Sequence, residues 1–154
     1  MLWPRRLDHA GAGGRLHGCG SREAFFAAAD VLSLHLPLNA ETHGLVTADD
    51  LARMKPTALL VNTSRAQIID GGALAAALER GRPGFTAVDV YEDEPVLDAN
   101  HPLIGMKNAL CTPHLGYVER GSYEAIFSVA VDQLLAFAAG QPINVVNPEV
   151  LGAG

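Results

Sequence analysis

The sequence predicts an α/β domain built on a parallel sheet, and three observations carry that prediction. Short apolar runs bounded by proline or small polar residues recur at residues 31–36, 59–61, 85–90 and 109–112, the length and composition of buried strands. Segments with helical spacing and cap residues at their starts lie between them. Strand alternating with helix implies parallel neighbours joined by right-handed crossovers, in three layers. Finally, 154 residues with 49% hydrophobic content suffice for one core.

Charge and cysteine usage narrow the class. A net charge of −6, with no basic cluster larger than Arg5-Arg6, argues against a nucleic-acid partner. Cys19 and Cys111 are too few for a disulfide framework, which points to a reducing cytosol. No apolar signal core opens the chain, and the longest apolar helical pattern is short for a membrane span and contains Asp132. A soluble cytoplasmic protein is expected.

Taken in order, residues 1–3 look like the end of a strand, which Pro4 forces the chain to leave. Residues 9–20 hold five glycines and read as a linker. Gly11-Ala12-Gly13-Gly14 falls short of G-x-G-x-x-G, because Leu16 occupies the third glycine position. Ser21 caps a helix running to Ala29, and residues 31–36 form a strand stopped by Pro37. Thr47 starts a second helix, with Leu51 and Met54 facing inward. The strand around Val61 follows, and Asp70 is expected to cap a third helix carrying Leu74 and Leu78, closed by Gly81 and Pro83. After the strand from Phe85 and an acidic loop, residues 109–112 make a last strand ended by Pro113. A long helix then carries Tyr123, Ile126, Phe127, Ala130, Leu134 and Phe137 at helical spacing, with Glu124, Ser128 and Asp132 on another face.

Ligands of open α/β sheets bind at the carboxyl ends of the strands. Three successive ends carry chemistry here: Thr63-Ser64-Arg65, then Asp89 with the loop through Glu94, then Pro113-His114. Taken singly, Arg65 is an ordinary surface arginine and His114 an ordinary loop histidine. Their convergence with acidic residues on one edge is harder to assign to chance. His17, Cys19, Cys111 and His114 lack the compact paired spacing of a zinc site, so no metal site is assigned. His9, His43 and His101 read as surface or turn residues, and Glu92 and Asp93 as a solvated acidic loop.

Asn62-Thr63-Ser64-Arg65, the run from Asp89 to Pro95, and Thr112-Pro113-His114-Leu115-Gly116-Tyr117, in that order and spacing, resemble the D-isomer-specific 2-hydroxyacid dehydrogenases. The resemblance implies an incomplete Rossmann-like dinucleotide-binding domain with a long C-terminal helix. It assigns residues 1–20 to a strand remnant and linker, 21–118 to part of an NAD(P)-binding domain, and 119–154 to a helix and tail returning toward a substrate domain. It further implies that Arg65 holds the carboxylate and oxo group of a small 2-oxo or 2-hydroxy acid, that His114 transfers the proton, and that Glu94 pairs with His114. Leu36, Pro37, Thr63, Ser64 and Asp89 would contact NAD or NADP. Such roles are chemically apt: hydride transfer to a 2-oxo carbon leaves charge on oxygen, which calls for a proton donor and a neighbouring cation.

Departures from the family pattern sharpen these expectations. The glycine fingerprint is absent, so the resemblance reads as a family member shortened at its amino end, either a fragment or an inactive dinucleotide-binding or interaction module. Arg5 and Arg6 stand where the family's acidic ribose ligand would follow its second strand, and arginine there suits a 2′-phosphate. Ala66 replaces a usual glycine, at a strain of about 1 kcal/mol if that position needs positive φ. Either a family-type homo-oligomer or self-association through exposed sheet edges is expected.

Overall fold

Side chains alternate across a strand, and in this protein the alternation sorts one face of a sheet into the core. In the computed structural model, which describes residues 18–152, strands β1 (Val31–Leu34), β2 (Leu59–Asn62), β3 (Phe85–Val88) and β4 (Ala109–Cys111) form a parallel sheet in that order. Leu32 aligns with Leu60 and Thr86, and Leu34 with Asn62 and Val88. All six are buried. Between the strands lie helices α1 (Arg22–Ala28), α2 (Ala48–Arg53) and α3 (Ala73–Glu79), with α1 packed on α2 and α2 on α3. Phe26, Leu51, Leu74 and Leu78 from these helices share one core with the sheet. Fully buried Leu51, Met54, Leu60 and Ile68 each contribute about 1.5–3 kcal/mol by leaving water.

The opposite face departs from the three-layer expectation. Val31, Phe85 and Leu110 are 64%, 52% and 66% exposed, so the buried strand positions all belong to one face. The expected strand at residues 1–3 and the Arg5-Arg6 pair lie outside the described residues.

Local signals set the helix starts with one exception. Ser21 accepts from the Ala24 amide at 3.1 Å. Thr47 and Asp50 exchange backbone and side-chain bonds as a capping box at α2. Asp50 also accepts from Arg22, whose guanidinium reaches the Leu45 carbonyl as well, tying α1 to α2. Asp70, expected to cap α3, does not: α3 starts at Ala73, behind Gly72 at φ 72°. The reason is upstream. A 3-10 turn at Ala66–Ile68 and a parallel bridge between Val46 and Ile69 hold the chain extended, and the Asp70 amide donates to the Val46 carbonyl. β1 and β3 end two residues earlier than expected, at Leu34 and Val88, level with Asn62 where β2 ends. Gly84, just before β3, permits a close backbone approach: a Cβ there would lie 1.9 Å from the Pro56 carbonyl oxygen.

The described residues form two compact units, which part between His114 and Leu115. In the second, Glu119 caps helix α4 (Arg120–Ala138) by accepting from the Gly121 and Ser122 amides, both at 2.8 Å. Tyr123 stacks on Tyr117 and contacts Phe127. No residue of α4 is buried, and Ile126, Leu134 and Phe137 are 62–74% exposed. No helix among the described residues is long and apolar enough to cross a membrane.

Candidate active site

Parallel strands deliver their following residues to a common edge, and the turns after β1 to β4 hold the residues singled out from the sequence. Asn62, 1% exposed, templates the turn after β2: its amide donates to the Arg65 carbonyl at 2.9 Å and its Oδ1 accepts from the Ser64 amide at 3.0 Å. The Ser64 hydroxyl donates to the Leu36 carbonyl at 2.6 Å, joining the end of β2 to the Leu36-Pro37 turn after β1. Thr63 lies between these anchors. Arg65 is exposed, with Nη1 donating to the Ser64 carbonyl at 2.7 Å. Ala66 begins the 3-10 turn and is not among the positive-φ residues, so alanine adds no backbone strain there.

Asp89 is 4% exposed; its amide donates to the Asn62 carbonyl and its carboxylate accepts from the Thr112 hydroxyl. The loop beyond it folds back on itself. Glu94 Oε1 accepts from the Tyr91 amide at 2.8 Å, while Glu94 Oε2 lies 2.6 Å from His114 Nδ1. Burial pushes the Glu94 carboxyl up, but the bonds from His114 and the Tyr91 amide, with the charges of His114 and Arg65, outweigh burial and leave it below the usual range. His114 takes φ 55°, a left-handed conformation that histidine adopts more readily than most residues. Arg65, Glu94 and His114 therefore share one electrostatic neighbourhood at the sheet edge, with Asp89 beside them.

Two expectations for the acidic loop change. Glu92 is not merely solvated: its Oε2 lies 2.9 Å from His101 Nε2. His101 lies in a turn, as expected, but not at the surface: it keeps only 15% side-chain exposure and meets the Tyr91 ring edge-on at 5.0 Å. Tyr91 itself is buried, and its hydroxyl donates to the Thr112 carbonyl at 3.0 Å. Burial, reinforced by Cys111, Asp89 and Glu94, pushes that hydroxyl up to about 12 and keeps it a donor. Sequence reading missed Tyr91 and His101 as site residues. A cleft of about 540 Å³ lies behind this loop, lined by Asn62, Val88, Val90 and His101. Neither Arg65, Glu94 nor His114 lines it. Asp93 and Pro95, on either side of Glu94, do line it.

Known proteins are similar to this chain in sequence and in overall fold. Glyoxylate reductase of Aeropyrum pernix is 44% identical over 132 residues, covering 85% of this chain and 39% of its own. Glyoxylate/hydroxypyruvate reductase B of Pectobacterium atrosepticum is 37% identical over 154 residues, 98% of this chain and 48% of its own. A phosphoglycerate oxidoreductase from Vibrio cholerae o395 superposes with a TM-score of 0.75 at 50% identity, over 79% of this chain and 39% of that one. The chain thus spans less than half the length of the relatives it matches. Residues 13–116, more than half of this protein, match the NAD binding domain of D-isomer specific 2-hydroxyacid dehydrogenases, and the chain belongs to that family.

Proposed function

We propose that this chain supplies the cofactor side and the proton-transfer pair of a site that interconverts small 2-oxo acids and D-2-hydroxy acids. The observation that carries this reading is the 2.6 Å contact between His114 Nδ1 and Glu94, formed beside Arg65 at the carboxyl edge of the sheet. In this reading Glu94 accepts from Nδ1 and fixes the imidazole tautomer, so the proton exchanged with substrate oxygen is the one at Nε2. Arg65 presents a planar fork of donors to the carboxylate and oxo group. Its charge stabilises the oxyanion that develops as the carbonyl is reduced.

A nicotinamide cofactor supplies or accepts the hydride. The residues present suit its nicotinamide end. Asp89 offers a buried carboxylate to an amide N–H, and the Ser64 bond to Leu36 sets Thr63, Ser64 and the Leu36-Pro37 turn side by side. Arg5 and Arg6 suit a 2′-phosphate, which makes NADP an alternative to NAD. Glyoxylate and hydroxypyruvate, named by the relatives, are the substrates to try first.

The test is a chimera in which this sequence replaces the matching part of the Aeropyrum pernix enzyme. Reduction of glyoxylate by NADH or NADPH is expected. His114→Ala should lower kcat by about 10²–10⁴ through loss of acid–base catalysis, and Arg65→Ala should also raise KM. A folded chimera whose His114→Ala variant turns over at the parental rate would refute the assignment.

A further inference from the structure

The Glu94–His114 pair joins two loops, from β3 and from β4, and each loop has to be held for the contact to persist. Tyr91 touches both. Its amide donates to Glu94 Oε1 at 2.8 Å, and its hydroxyl donates at 3.0 Å to the carbonyl of Thr112, two residues before His114. The third side of Tyr91 is its ring, which meets His101 at 5.0 Å and 73°.

His101 is itself clamped at both nitrogens. Its Nδ1 accepts from the Leu103 amide at 3.3 Å, which requires Nε2 to carry the proton that it donates to Glu92 Oε2 at 2.9 Å. The Glu92 carbonyl in turn accepts from Gln67, two residues beyond Arg65, at 3.2 Å. The turn that presents His101 contains consecutive left-handed residues, Asp98 at φ 56° and Ala99 at φ 53°. Neither is glycine, and such strain persists only where the surroundings over-determine it.

We propose that His101, clamped by Glu92 and the Leu103 amide, is a positioning residue that fixes Tyr91 and through it the Glu94–His114 pair. The proposal rests on the reading of that pair given above. It makes the loop from residue 91 to 103 a frame for proton transfer. Glu92 and His101 act at a distance: neither is bonded to Glu94 or His114, and each sets where Tyr91 places its amide and hydroxyl.

Ring-nitrogen NMR of the ¹⁵N-labelled 154-residue chain, at a pH where imidazoles are neutral, reads the tautomers directly. The wild type should show His114 protonated at Nδ1 and His101 protonated at Nε2. In His101→Ala and Glu92→Ala the Nδ1–H signature of His114 should be lost, with the Leu60 and Met54 methyl signals unchanged. Glu92→Gln, whose amide oxygen still accepts from His101, should retain it. If both alanine variants keep the wild-type His114 signature, or if Glu92→Gln loses it as they do, His101 does not position the pair. A wild-type His114 protonated at Nε2 would overturn the pair itself, and the functional reading with it.

Discussion

Glu94 gains three interactions on folding, with His114, the Tyr91 amide and the charge of Arg65, against a burial cost that they exceed. Its folded pKa therefore lies below the unfolded value of about 4.3. A depressed carboxylate stabilises the fold fully above that value, and the contribution fades as pH falls through the folded pKa. Glu94→Gln should accordingly lower Tm near neutral pH, and the two melting curves should converge in acid; a difference that stays constant down to about pH 2 would place the stabilisation elsewhere. Arg65, Glu94 and His114 could be picked out as candidates because each lies in a recognisable motif at a strand end. His101 could not. Its partners, Glu92 and the Leu103 amide, meet it only when the loop closes, and no spacing rule links positions 92 and 101. Asn62 stood within the motif, yet its task of shaping the turn below Arg65 follows from burial and geometry alone.

Among the elements, α1 and α2 depend on one ion pair. Asp50 is 4% exposed, and although burial pushes its carboxyl up, bonds from Arg22 and Thr47 bring it below the usual range. Arg22→Met would leave that carboxylate buried without its partner, at a cost of about 3 kcal/mol. In a double-mutant cycle, Arg22→Met with Asp50→Asn should lose less than the sum of the single changes. Additive losses by urea denaturation would mean that the pair is not coupled. The same sign argument applies: the Arg22–Asp50 contribution is present above about pH 4 and disappears as Asp50 protonates. Helix starts at Ser21 and Thr47 were legible because the cap acts within one turn. The start of α3 was not, because the Val46–Ile69 bridge that displaces it is a contact between distant segments. Strand positions followed from apolar runs, whereas their ends follow from register with a short neighbour. The open sheet face was hidden for another reason. Val31, Phe85 and Leu110 are as apolar as the buried residues, so composition alone does not say which face is covered.

At the scale of the molecule, that open face and a one-sided β1 have a consequence. Among the described residues β1 pairs only with β2, and an unpaired edge beside exposed Val31 and Phe85 invites pairing with a second copy. Sedimentation of the 154-residue chain should show a mass that rises with concentration. Val31→Lys with Phe85→Lys should shift it toward the monomer. Unchanged association in that variant would move the contact to another surface.

Cofactor affinity is the property of the whole chain that follows least from its local site. Binding energy from the pyrophosphate and ribose, remote from the reacting carbon, is what holds a nicotinamide against its substrate. That energy comes from a glycine-rich turn in which backbone amides approach the phosphates. The sequence contains no G-x-G-x-x-G; the runs from Gly11 and from Gly18 have Leu16 and Glu23 at the last position. The residues proposed for the nicotinamide side do not make up for it, because a nicotinamide ring offers little charge for them to hold. The 154-residue chain is therefore expected to bind NADH and NADPH only weakly, with Kd of about 1 mM or above and less than about 4 kcal/mol of binding free energy. Reduction of glyoxylate or hydroxypyruvate should not exceed background. Calorimetric titration and an absorbance assay at high protein concentration measure both. Micromolar binding with steady turnover that vanishes in His114→Ala would show instead that another part of the chain grips the dinucleotide, and that the remote binding energy is supplied without the glycine turn.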